Sequence, residues 1–104
     1  MGPSKTANKA EREWMTAIAE HGCVACHKDG HHSPASVHHI TQGYRRLGHL
    51  FTIPLCYDHH QGDGKHIPSV HFSKRTFVAR YGSEMELLAE LKVKLGFFDA
   101  YEAA

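Results

Sequence analysis

No apolar run in this chain approaches the ~20 residues needed to cross a bilayer, and the N-terminus lacks the apolar stretch of a secretion signal. The expectation is a cytoplasmic protein that makes no use of membranes. Cysteine is scarce and odd in number, at three. Two of the three form a C-x-x-C, which suits thiolate metal ligation in a reducing compartment better than a disulfide framework. No thioredoxin-like βαβ pattern surrounds Cys23 and Cys26 to make them a redox pair. A dominant charge sign is missing too: a formal net charge of +1 argues against a strongly basic, sequence-independent DNA coat protein. Internal repeats and low-complexity tracts are absent.

What remains is a single expected domain spanning residues 1–104, with residues 1–7 flexible. A chain this short buries a limited fraction of its surface, so a metal staple would matter for folding. Hydrophobic content of 41% with 22% charged residues is ordinary for a globular protein and excludes a mainly disordered one. Histidine is what departs from the ordinary. With 11 of them, histidine is the chain's main reserve of ligands and proton carriers, and its clustering carries the information.

The expected class is α+β. Helix formers run from Thr6 to about Glu20, with Ala10, Trp14, Ala17 and Ile18 as an apolar stripe and Gly22 as the stop. A polar loop, 28–36, leads to an extended stretch, Val37 to Ile40, that turns His38 and His39 to opposite faces. The glycine- and arginine-rich segment 41–48 reads as a flexible excursion before a second extended run, Phe51 to Leu55. A short helix over Tyr57 to Gln61 follows, then a helix from Ser73 to Tyr81. The last helix opens on a Ser83-Glu84-Met85-Glu86 capping box and carries Leu87, Leu88, Leu91 and Leu95 on one side.

Two sets of side chains carry chemistry. Cys23 and Cys26, followed by Cys56 and His59, supply three thiolates and an imidazole from two knuckles, the ligand set of a closed structural zinc site; His27 and His60 are adjacent alternatives. Such a clip gathers a second set, His38, His39, His60 and His66, into one neighbourhood. Phosphodiester hydrolysis needs a deprotonated water, an electrophile at the phosphate and stabilisation of the departing oxygen. On that basis His39 is the expected base, and His38 and His60 are the expected ligands of a catalytic Mg²⁺ or Mn²⁺, a position that zinc would also accept. His66 is a candidate third ligand and His49 an orienting partner for the base. Arg45, Arg46 and Lys65, with Lys74 and Arg75 beyond, are candidate phosphate contacts. His21, His31, His32 and His71 are read as ordinary surface or core histidines. The competing reading is a non-catalytic zinc-knuckle module that binds nucleic acid without cutting it.

The order Cys23-Val24-Ala25-Cys26, Val37-His38-His39-Ile40, Ile53-Pro54-Leu55-Cys56 and His59-His60 resembles the HNH endonucleases. The resemblance implies a zinc-braced ββα-metal module with flanking N- and C-terminal helices. Ser33-Pro34-Ala35 leading to His38-His39-Ile40, then Thr52 to Cys56, then Tyr81-Gly82-Ser83-Glu84 with Leu87-Leu88, is more closely similar to the bacteriophage recombination-enhancement nucleases. That family implies a phage-encoded DNA endonuclease in the cytoplasm of a bacterial host, linked to recombination or repair and acting with RecA filaments. Two positions depart from the HNH pattern: His38 stands where an acidic ligand is usual, and no asparagine lies near Phe51 or Thr52.

Overall fold

A computed structural model describes residues 6–97, so the expected flexibility of the first residues lies, for 1–5, outside the described part. Helix α1 (Lys9–His21) begins at a reciprocal cap: the Asn8 side chain accepts the Glu11 N–H at 2.8 Å, and Glu11 Oε1 accepts the Asn8 N–H at 2.8 Å. The cap sets the start at Lys9, not at Thr6 as composition predicts, because it holds Asn8 extended. Gly22 ends the helix at φ 86°, where a Cβ would meet the His32 ring at 2.6 Å and the Ser33 carbonyl at 2.8 Å. Both the backbone angle and the crowding require glycine. Cys23 then caps the short α2 (Val24–Lys28), and its N–H donates to the Ser33 carbonyl at 2.9 Å, pinning the returning loop.

Strand β1 (Ser36–His39) pairs antiparallel with β4 (Thr52–Leu55), placing His38 opposite Ile53 and His39 opposite Thr52. The predicted flexible excursion between them is instead folded in part. Gly43, at φ 66°, lets β2 (Thr41–Gln42) turn tightly onto β3 (Arg45–Arg46), giving a small exposed hairpin. Strand β4 is buried along its length and delivers Cys56 as the N-cap of α3 (Tyr57–Gln61). Two longer helices follow, α4 (Lys74–Tyr81) and α5 (Glu84–Leu95). The capping box at Ser83 forms as the sequence predicts, with its Oγ accepting the Glu86 N–H at 3.1 Å.

The α+β core joins Trp14 and Ile18 of α1, Ile53 and Leu55 of β4, Phe77 of α4 and Leu87, Leu88 and Leu91 of α5. Of the predicted stripes, Ala10 is exposed, and Ala17 and Leu95 are half-buried at the margin. The Trp14 indole N–H donates to Thr52 Oγ1 at 2.9 Å, and that hydroxyl donates to the His49 carbonyl at 3.0 Å. A buried helix side chain thereby fixes the loop beside His39. Among the described residues no helix is long and apolar enough to cross a membrane.

Candidate functional site

The clip forms from two helix starts. Cys23 and Cys26 lie at the head of α2, and Cys56 and His59 at the head of α3. A tetrahedron with metal–sulfur distances of ~2.3 Å and a metal–nitrogen distance of ~2.0–2.1 Å has edges of about 3.5–3.8 Å. Here His59 Nδ1 lies 3.5 Å from Cys23 Sγ, 3.5 Å from Cys26 Sγ and 3.3 Å from Cys56 Sγ, and the Cys26 and Cys56 sulfurs are 3.7 Å apart. Four donor atoms thus converge on one centre that could hold a metal such as zinc. Burial pushes the Cys23 thiol up to about 12 in the absence of a cation, so three thiolates packed this closely call for a positive charge among them. The far side of His59 is held as well. Its Nε2 is 3.0 Å from the Tyr81 hydroxyl, which donates to Asp29 Oδ2 at 2.7 Å, while Arg80 holds Asp29 Oδ1 at 3.1 Å. A carboxylate accepts the tyrosine proton, so the tyrosine oxygen accepts from His59 Nε2–H and leaves Nδ1 to face the sulfurs.

A second group stands beside it and is more open. His38 from β1, His60 from α3 and His71 from the following turn each aim a ring nitrogen at a common point, the donors lying within 4.8 Å of one another. His38 Nδ1 and His60 Nε2 are 3.0 Å apart, close to the roughly 3.0–3.4 Å that two imidazoles span on one cation. His38 is buried and His60 half-buried, whereas His71 is exposed. Behind His38, its Nε2 meets Glu84 Oε1 at 2.8 Å, and Lys74 Nζ sits 3.1 Å from Glu84 Oε2. Burial opposes ionisation of Glu84, but His38 and Lys74 outweigh it and hold the carboxyl below its usual range. The carboxylate therefore fixes the His38 proton on Nε2 and turns the Nδ1 lone pair toward His60. Burial pushes His60 down to about 4, with His38 and His71 adding to the effect, so its imidazole is neutral at physiological pH.

His39 emerges from the other face of β1. Its Nε2 lies 2.9 Å from His49 Nδ1, and the Trp14–Thr52 chain holds the His49 backbone. Burial, reinforced by Arg46, His49 and His38, keeps His39 below the ordinary histidine range. Arg45 and Arg46 are exposed on the β2–β3 hairpin, and Lys65 is exposed in the loop after α3.

Two placements depart from the sequence reading. His66 does not join His38 and His60. It lines, with Cys26, Asp29, Cys56 and Pro68, a pocket of about 290 Å³ on the cysteine side. The third imidazole is His71, which on sequence reads as an ordinary surface or core histidine. It arrives because the Val70 N–H donates to the His59 carbonyl at 2.9 Å, folding the turn back over α3. No ligand or strand pattern marks Glu84 beyond its place in the capping segment, and Lys74, a candidate phosphate contact, is engaged by it. The one sequence signal for Glu84 was its position in the Tyr81-Gly82-Ser83-Glu84 match.

A family model described as recombination enhancement, RecA-dependent nuclease matches residues 5–95. The chain belongs to that family. No curated protein matches the chain individually. Membership in the RecA-dependent nucleases supports a nuclease role and a nucleic-acid substrate for this chain, and the family's description ties that role to recombination.

Proposed function

We propose that the chain is a single-domain, metal-dependent DNA endonuclease of the HNH type, in which β1, β4 and α3 form the ββα-metal unit. One observation carries this reading: a sealed Cys₃His group and an open three-imidazole group lie side by side, with His39 next in sequence to the buried ligand His38. The first set suits structural zinc. The second leaves coordination positions for substrate, and a divalent ion such as Mg²⁺ or Mn²⁺ held by His38, His60 and His71 would supply Lewis-acid polarisation of the phosphate and charge neutralisation at the departing oxygen. Zinc would occupy the same imidazoles readily.

His39 takes the proton from the attacking water at Nδ1, its Nε2–H donating to His49 Nδ1. Its lowered proton affinity keeps it in the basic form at neutral pH. The alternation of β1 puts base and ligand on opposite faces of the strand, so the twist of β1 is what brings both to one phosphate. Arg45, Arg46 and Lys65 bind flanking phosphates. The family's name supports a RecA filament as the partner that presents the DNA, and the resemblance supports phage origin and action in the bacterial cytoplasm.

Nicking of supercoiled plasmid with added Mg²⁺, Mn²⁺ or Zn²⁺ tests this. His39→Ala should lower cleavage by about 10²–10⁴-fold with DNA affinity retained. Cleavage that survives the substitution removes His39 as the base. A wild-type protein that binds DNA and cuts under none of these ions is instead the non-catalytic zinc-knuckle module. Addition of RecA filaments should raise the cutting rate if RecA presents the substrate.

A further inference from the structure

A shallow cleft of about 480 Å³, lined by Tyr57, Gln61, His71 and Phe72, opens beside the three-histidine group. Tyr57 is 70% exposed and Phe72 67% exposed, so neither ring serves the core. Single exposed aromatics need no explanation, but two in one cleft that shares a residue with a candidate catalytic centre do. Both walls are built. Tyr57 and Gln61 are one turn apart on α3, and the opposite wall is the turn that carries His71 and Phe72. Ser69, fully buried at its base, donates from Oγ to the Gly62 carbonyl at 2.9 Å and accepts the Phe72 N–H at 3.1 Å. Together with the Val70 N–H bond to the His59 carbonyl, these contacts set the aromatic spacing before any ligand arrives.

We propose that this cleft holds an unstacked nucleobase belonging to the DNA strand whose phosphate reaches His38, His60 and His71. The inference rests on the nuclease reading and adds a base subsite to it. A nucleotide is the ligand that joins an anionic group to a flat ring across a single sugar, and His71 borders both the imidazole group and the cleft. Tyr57 and Phe72 offer faces for stacking, and the Gln61 amide offers a donor and an acceptor to a base edge. Among the described residues the cleft is lined by no charged side chain, which suits a neutral base and leaves the phosphate to the imidazole side.

The test is equilibrium binding, without added divalent ion, of the zinc-loaded protein to three DNAs containing 2-aminopurine: a single strand, a full duplex and a duplex with an unpaired bubble. The wild-type protein should change the fluorescence of the bound strand. Tyr57→Ala and Phe72→Ala should each weaken single-strand binding by about 5- to 100-fold and abolish that change, whereas Tyr57→Phe should retain both. Losses confined to the single strand and the bubble identify a base already unpaired; an equal loss on the full duplex identifies one extruded by the protein. A Tyr57→Ala, Phe72→Ala double variant that binds all three DNAs with wild-type affinity and fluorescence overturns the proposal and leaves the aromatic pair to a protein partner. Failure of the nuclease reading would appear separately, as wild-type protein that cuts nothing when divalent ions are added.

Discussion

Glu84 is the residue on which the open site leans hardest. A carboxylate in the first turn of a helix ordinarily sits in water, where it complements the helix dipole, yet this one is buried between His38 and Lys74. Its negative charge makes His38 donate from Nε2 and so present Nδ1 as a lone pair. Glu84→Gln keeps the shape and removes the charge. Affinity of the three-histidine group for Mn²⁺ should fall about 10–100-fold in a titration, with zinc content at the cysteines unchanged; equal Mn²⁺ affinity would show that Glu84 does not support the ligand. The closeness of His38 and His60 was legible beforehand, because the spacing of the clip brings β1 and α3 together. His71 and Glu84 were not legible: each reaches the site through a hydrogen bond or packing contact with a distant segment, and neither strand periodicity nor ligand spacing encodes such a contact.

At the scale of elements, α5 matters beyond its leucines because its first residue is Glu84. The Ser83 cap should therefore stabilise both the helix and the site. Ser83→Ala is expected to cost about 1 kcal/mol in urea unfolding and to weaken Mn²⁺ binding as the first turn frays. Leu88→Ala, deeper in the same helix, should cost about 2–5 kcal/mol while leaving metal affinity per folded molecule intact. An identical metal affinity in the Ser83 variant would uncouple the cap from the site. This capping box was readable because its chemistry is local. The β2–β3 hairpin was not: strands of two residues each have too few positions to show an alternation, and only the tight turn at Gly43 produces the pairing.

Across the whole molecule, the clip joins the heads of α2 and α3, and the sheet and three-histidine group are built against it. A 104-residue chain has little core to spare. With zinc in the proposed Cys₃His site, a strong chelator should therefore abolish the cooperative thermal transition and the helical far-UV signal together, and Cys56→Ser should behave the same way. A chelated protein that still melts cooperatively near the original temperature would refute a folding role for the metal. The α+β class followed from the apolar stripes of the helices, the extended runs 37–40 and 51–55 and the glycine stop at Gly22, all of them features of sequence neighbours.

His59 and His60 are consecutive residues of one short helix, the first turned to the sulfurs and the second to the open imidazole group. The brace and the blade thus share a hinge pin. With zinc as the proposed brace, loosening the former would carry the latter with it, so zinc starvation would be met by a shortage of intact molecules and not by a pool of sound but idle ones.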